Sequence, residues 1–432
     1  MLKNYFFNIL DILKSKLVKS ISIVFIANLI ASFFGFISTL LSLRQLDTVS
    51  IAILYPTIGI MMIFAQFADL GITSAFIKNA SIYYKTDPKE ALPYFNITVR
   101  LKVSLALISM IVCILFSKQL SLYFLNDEKY FKLVQLIGIG TFFHVFSSFI
   151  SANLQVMSKF KAFSLIKAIP PIFKTISLIL LWYFDKFTLE NVIIVTISVP
   201  ILSVVLGLPY LSFKDFFKKI DYNKYFPKIY NVAKWVFISA ITSSFLGQTD
   251  ILMLSKMSGP LELEKLVAGL KLASPLPIFT IALTSTVLPK VSSMQTMKEV
   301  KFFVKKINLL IPLLLVGLLI IIPLSGYIIE LLLGSRYINS ISVFRIYIAS
   351  FIVSIYITPL STVIYRFNKE YLFTLLNIIQ LIANVLINYF LIPIYGAPGA
   401  AFATFSVKFF AVFFMLFHIY RYMKNNKDIT LA

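Results

Sequence analysis

Six charged residues stand out inside apolar stretches of this 432-residue chain: Asp69, Lys174, Asp250, Lys271, Arg345 and Lys408. A charge at the centre of a bilayer costs about 2.5–3.5 kcal/mol even on the lenient insertion scale. Facing lipid, the six together would cost on the order of 15–20 kcal/mol, more than the whole stability of a typical fold. They are therefore expected to face protein or water. A carboxylate so placed can change protonation or hold a cation such as Na⁺, which makes Asp250 the first candidate for an ion-binding carboxylate and Asp69 the second. The basic groups can attract an anion. Lys174 and Lys408 fall near the middle of their stretches, where snorkelling is hardest, and point to a water-filled cavity. Lys271, Arg345 and Asp69 lie close enough to an end to snorkel or cap instead. Arg44, at the end of the first apolar stretch, is a weaker anion-binding candidate.

Polar side chains also recur at helical spacing. Asn377, Gln380, Asn384 and Asn388 fall within about 80° of helical arc. Thr141, His144, Ser148, Ser151 and Gln155 share one face, as do Ser239, Thr242, Ser243 and Asp250. Two readings stand open. Such stripes serve as interhelical hydrogen bonds, worth about 0.6 kcal/mol a pair in membrane bundles. Alternatively, together with the buried cations, they line a hydrated lumen whose amides and hydroxyls suit sugar hydroxyls and whose charge suits phosphate. No catalytic constellation accompanies them: the sequence has no P-loop, and His144 and His418 are its two histidines. Cys113, the one cysteine, sits in an apolar run. No metal site, no cofactor and no enzymatic activity are expected.

The elements that position these residues follow from composition. The chain is 59% hydrophobic and 13% charged, against about a quarter charged in soluble domains. About 20 apolar residues span a bilayer core. That length predicts twelve helices, near 20–43, 49–71, 97–117, 131–156, 163–184, 190–212, 232–254, 266–288, 307–329, 340–364, 371–392 and 399–420. The first is too long for the core of a signal peptide. Prolines interrupt many of them, which membrane helices tolerate.

The net charge of +22 would suggest nucleic acid if it formed one surface. Its distribution argues otherwise. With the N-terminus in the cytoplasm, 28 of the 40 lysines and arginines fall on cytoplasmic segments, 8 on outer ones and 4 within spans. This is the positive-inside pattern of a multi-pass protein of the cytoplasmic (inner) membrane with both termini inside, and nucleic acid is not an expected partner. Ala31–Gly35 (ASFFG) matches Ser243–Gly247 (SSFLG) at an offset of 212, and Lys78 and Ser81 match Lys290 and Ser293 at the same offset. A six-helix unit has been duplicated, giving parallel repeats. The expected division is an N-terminal lobe, 1–212, a basic cytoplasmic connector, 213–234, and a C-terminal lobe, 235–432. Phe216, Phe217, Lys218, Lys219 and Tyr225 give the connector an aromatic and basic face suited to the inner leaflet.

At this point the motifs match a family. The chain resembles the polysaccharide-biosynthesis flippases of the O-antigen type, within the superfamily that also contains the multidrug and toxic-compound extruders. The most specific part is the stretch Asn384–Thr404, NVLINYFLIPIYGAPGAAFAT. Supporting it are Ala68-Asp69-Leu70-Gly71, Gln248-Thr249-Asp250, Leu288-Pro289 and Leu333-Gly334-Ser335-Arg336-Tyr337. The family's Gly-x-Tyr before the eighth span is missing at Glu264–Val267.

The resemblance implies an all-α membrane fold of two six-helix lobes around a central cationic cavity that opens to each side in turn. It implies a substrate of oligosaccharide on undecaprenyl pyrophosphate or a similar polyprenyl carrier, coupling to H⁺ or Na⁺, contact with membrane lipids, and a polysaccharide polymerase complex as a further partner. On that reading Lys174, Lys271, Arg345, Lys408 and Arg44 attract pyrophosphate and acidic sugars. Asn377, Gln380, Asn384 and Asn388 line the cavity, and Asp250, then Asp69, carries the coupling ion. Two alternatives were weighed. A cation-coupled drug exporter of the same fold would favour acidic lining, against four basic and two acidic membrane residues here. A membrane glycan polymerase or ligase would need a sizeable outer loop.

Overall fold

The computed structural model describes residues 16–84, 86–211, 220–294, 296–367, 369 and 371–425. Sixteen α-helices run through them: α1 Lys16–Gln45, α2 Thr48–Asp69, α3 Ile72–Tyr84, α4 Pro88–Leu115, α5 Ser117–Phe124, α6 Phe131–Val156, α7 Phe160–Tyr183, α8 Leu189–Gly207, α9 Tyr222–Met257, α10 Pro260–Leu272, α11 Pro277–Ser292, α12 Met297–Asn308, α13 Leu310–Leu333, α14 Ile341–Arg366, α15 Tyr371–Tyr395 and α16 Ala397–Asn425. Eleven helical segments among the described residues are long and apolar enough to cross a membrane. The expected eighth span is the exception. It forms as two shorter helices, α10 and α11, because the turn around Pro275 and Pro277 removes amide donors that a continuous helix would need.

Local chemistry sets many of the helix ends. Asp87 accepts from the amide of Lys89 at 3.0 Å, with Pro88 in the first turn of α4. Thr188 and Thr296 cap α8 and α12 in the same manner, through the amides of Asn191 and Glu299. Gly396, between α15 and α16, has φ +58°. A Cβ there would also overlap the Glu262 carboxylate, whose Oε2 accepts from the amide of Ala397 at 2.8 Å. The Tyr-Gly of the motif thus marks a left-handed turn closed by a carboxylate at a helix N-terminus. Gly71, at φ +71°, lets the α2–α3 corner approach the backbone of α9, where a Cβ would come within 2.6 Å of the Ala233 carbonyl.

The chain divides into two compact units. The first comprises α1, Ile60–Tyr123 and Asp127–Ile241; the second comprises Leu46–Gly59, Phe124–Asn126 and the chain from Thr242 onward. The core of the first gathers Phe76, Tyr94, Ile97, Phe149 and Ile150 with Ile229 and Ala233 of α9. That of the second gathers Val291, Val300 and Val304 with Leu360, Val363, Ala411 and Ile419. Helix α12 is amphipathic: Met297, Val300, Val304 and Ile307 are buried, while Lys298, Lys301, Lys305 and Lys306 lie outside that stripe. Helix α13 exposes Leu313, Leu319, Ile320 and Tyr327, as a lipid-facing span must. Trp182 is exposed near the end of α7, in keeping with an interfacial position, whereas Trp235 is exposed in the interior of the long helix α9.

Of the expected connector, residues 213–219, including Phe216, Phe217, Lys218 and Lys219, lie outside the described residues. The remainder is largely helix, because α9 begins at Tyr222. Tyr225 is not on a membrane-facing surface. It is 6% exposed, packs edge-on against Tyr94 and donates its hydroxyl to Glu90 at 2.8 Å. An aromatic ring with a partner for its polar tip is better buried than left at a wet interface.

Candidate functional site

In the second unit four helices converge on one carboxylate. Helix α9 carries Asp250, α14 carries Tyr347, α15 carries Asn384 and Asn388 one turn apart, and α16 carries Thr404. Asp250 Oδ1 accepts from Asn388 Nδ2 at 2.9 Å and from Asn384 Nδ2 at 3.2 Å. Its Oδ2 accepts from the Tyr347 hydroxyl at 2.9 Å and from the Thr404 hydroxyl at 2.5 Å. Asn388 also donates to Asn384 Oδ1 at 3.1 Å. Asp250 is 6% exposed, and Asn384 and Asn388 are fully buried.

A buried carboxylate needs its oxygens satisfied, and here neutral donors do it. They solvate the charge without cancelling it. Lys408 stands one turn beyond Thr404 on α16. Asn388 Oδ1, buried, has no hydrogen-bond partner among the described residues. Rotating the two amides about their Cβ–Cγ bonds would turn carbonyl oxygens onto the carboxylate. Asp250, Asn384, Asn388 and Thr404 would then offer a hard cation an all-oxygen shell. Protonating Asp250 would neutralise the same site without that rotation.

The first unit treats its carboxylate differently. Asp69, at the end of α2, accepts from Lys102 of α4 and from Thr73 of α3, and Lys102 is fully buried. Sequence reasoning missed Lys102, although it lies inside the expected 97–117 span; its nearness to that span's basic start placed it with the cytoplasmic charges.

The remaining expected site residues are dispersed. Asn377 donates to Ser243 Oγ at 3.1 Å and Gln380 to the Val407 carbonyl at 3.0 Å. Those two amides serve helix packing in this conformation, and only Asn384 and Asn388 of the stripe meet Asp250. Lys271, half-buried at the end of α10, has its ammonium 5.2 Å from the centre of the Tyr55 ring. Arg345 is exposed and donates to Ser325 Oγ at 2.7 Å. Lys174 on α7 and Lys408 on α16 are half-buried, and Arg44 is exposed in the last turn of α1. Arg336 of the Gly-Ser-Arg-Tyr motif pairs with Glu264, which is also bonded by the Thr48 hydroxyl at 2.8 Å, and donates to the Leu46 carbonyl at 2.8 Å. That motif ties the 46–48 segment to α10. Among the described residues no cluster of three His, Cys, Asp or Glu side chains could hold a metal ion.

Comparison with known proteins bears on the family and the fold. The profile of the polysaccharide biosynthesis protein family matches residues 51–342. A Shigella flexneri protein described as "Putative O-antigen transporter" is 25% identical over 184 residues, which are 41% of this chain and 43% of that protein. The match therefore spans less than half of the relative's length. Among solved structures, the lipid II flippase MurJ in an inward closed conformation superposes with a TM-score of 0.71 at 19% identity, over 91% of this chain and 86% of that one. An inward-facing multidrug resistance transporter of the MATE family gives 0.72 at 12% identity, over 91% and 96%. At these identities the likeness is one of fold: the all-helical membrane architecture shared by those transporters.

Proposed function

Because the chain belongs to the polysaccharide biosynthesis protein family, we propose that it is a flippase that moves a polyprenyl-pyrophosphate-linked oligosaccharide from the cytoplasmic to the outer leaflet of the inner membrane. It works by alternating access. Downhill entry of H⁺ or Na⁺ at Asp250 drives the cycle, and Lys174, Lys271, Arg345 and Lys408, with Arg44 as a weaker contributor, attract the pyrophosphate and acidic sugars.

The observation that carries this reading is the Asp250 cluster. It is a buried carboxylate whose two oxygens accept from neutral donors on three other helices, with a buried carbonyl oxygen left over at Asn388. A carboxylate serving only to pack helices would gain nothing from remaining charged, since a neutral amide would satisfy the same neighbours without the desolvation cost. An ion that binds there also alters which donors Asn384 and Asn388 can offer α9. Occupancy is thereby linked to how α9, α15 and α16 pack.

The test is transport in proteoliposomes containing the full chain. A fluorescent polyprenyl-pyrophosphate-linked glycan is followed by its accessibility to an external quencher, with and without imposed Na⁺ and proton gradients. An inward gradient of one ion is expected to accelerate translocation, and Asp250→Asn to abolish that acceleration. Translocation indifferent to both gradients and unchanged in Asp250→Asn would refute the coupling. No glycolipid translocation by the wild-type chain would refute the function.

A further inference from the structure

A cavity of about 420 Å³ opens within the first unit between α1, α6, α7 and α8. Among the described residues its lining holds Asn28, His144, Ser147, Ser151, Lys167 and Ser203, and no carboxylate. Lys167 was not among the cations singled out from the sequence. Its ammonium lies 3.4 Å from Asn28 Oδ1 and 5.0 Å from the centre of the Phe163 ring. One long hydrogen bond and a ring leave most of its three donors open toward the cavity.

The rest of the lining supplies acceptors. Ser147 donates to the His144 carbonyl at 2.8 Å and Ser203 to the Val199 carbonyl at 3.1 Å. Each hydroxyl has spent its proton and turns lone pairs outward. Pro170 and Pro171 also line the cavity, and neither has an amide proton to give. The carbonyls of Ile166 and Lys167, four residues back, therefore lose their helical donors beside the same space.

We propose that this cavity is a binding subsite for an anionic sugar, with Lys167 pairing the phosphate or carboxylate and the serine hydroxyls and proline-freed carbonyls accepting from sugar hydroxyls. One cation among many acceptors is the complement of a molecule with one negative group and many O–H donors. A cationic drug would meet the Lys167 ammonium with no carboxylate in the lining to offset it. An acyl chain would leave the carbonyls and hydroxyls unpaired, which is unfavourable for buried polar groups. The volume lies in the range of small-ligand sites and admits a sugar phosphate. The assignment rests on the flippase reading only for its meaning, as a first docking point for the glycan; the binding itself stands apart from it.

Full-length protein in nanodiscs, titrated with glucose 1-phosphate, methyl glucoside and inorganic pyrophosphate and followed by saturation-transfer NMR, decides the question. Wild type is expected to bind glucose 1-phosphate at least ~10-fold more tightly than either of the others, a difference of about 1.4 kcal/mol. Lys167→Gln should lower that affinity ~10-fold while leaving methyl glucoside unchanged, and Lys167→Arg should keep most of it. Ser151→Leu, which fills the cavity from α6 without touching the charge, should weaken glucose 1-phosphate and methyl glucoside together. Pyrophosphate bound as tightly as glucose 1-phosphate would mean a simple anion site and overturn the sugar assignment. So would equal affinities in wild type and Lys167→Gln, or no detectable binding by wild type. Loss of glycolipid transport in proteoliposomes with these binding results intact would count against the flippase reading alone.

Discussion

Asp69 and Asp250 are both carboxylates in apolar helices, one in each compact unit, and the structure satisfies their oxygens in opposite ways. Asp69 meets a fully buried lysine, Lys102, and a hydroxyl from Thr73. The pair carries no net charge and needs nothing further. Asp250 meets four neutral donors and no hydrogen-bonded cation. The offset of 212 expected from the sequence sharpens the contrast: it would set Asp250 against Ser38 of α1, whose hydroxyl lies 2.8 Å from that of Thr175 on α7. On that expectation a neutral Ser–Thr contact stands against a carboxylate, two amides and two hydroxyls, which supports proposing the coupling role for Asp250 rather than Asp69.

The comparison can be broken most severely at Lys102. Lys102→Ala leaves the Asp69 carboxylate without its cation and should destabilise the protein by about 3–5 kcal/mol, with Asp69→Ala/Lys102→Ala recovering most of the loss. Thermal unfolding in detergent reads both; a single variant as stable as wild type would mean that Asp69 is not neutralised by Lys102. Next comes the response to ions. If Asp250 binds Na⁺, saturation at about 100 times the dissociation constant stabilises wild type by ~2.7 kcal/mol, and Asp250→Asn abolishes that gain. Asp69→Asn should leave the Na⁺ response intact, and loss of the response in that variant instead would exchange the roles assigned to the two carboxylates.

Smaller effects grade the donors. Tyr347→Phe removes one hydrogen bond to a buried charge and should cost about 1.5 kcal/mol in Na⁺-free buffer. A neutral outcome would show that Thr404 alone satisfies Oδ2. Ser38→Ala, at the corresponding place in the first unit, should cost only about 0.6 kcal/mol and leave transport unchanged. An effect on ion response there would mean that the first copy shares the ion site.

Much of the fold was legible because its determinants are local. A run of about 20 apolar residues forms a membrane helix whatever its neighbours, and the twelve expected spans correspond to eleven helices and the α10–α11 pair. Pro275 and Pro277 marked the place of that interruption, but whether a proline kinks or breaks a helix depends on which neighbours accept the freed carbonyls. The candidate site was legible in parts. Asn377, Gln380, Asn384 and Asn388 read as one stripe because they share an arc, yet they serve three purposes: a hydroxyl at Ser243, a carbonyl at Val407, and the Asp250 cluster. Lys167 and Lys102 were hidden in plain view, since a lysine near the end of a span reads as an ordinary basic flank.

Taken alone, the amino-acid sequence determined that this is a multi-pass helical membrane protein with ionisable groups too costly to face lipid. Hydropathy and helix length are properties of contiguous residues and survive without a folded partner. Tertiary structure decided which buried charge is cancelled and which is left available. Lys102 is 33 residues from Asp69, and Asn384 is 134 from Asp250. Whether a carboxylate meets an ammonium or a ring of neutral donors is settled only when helices distant in the chain pack side by side.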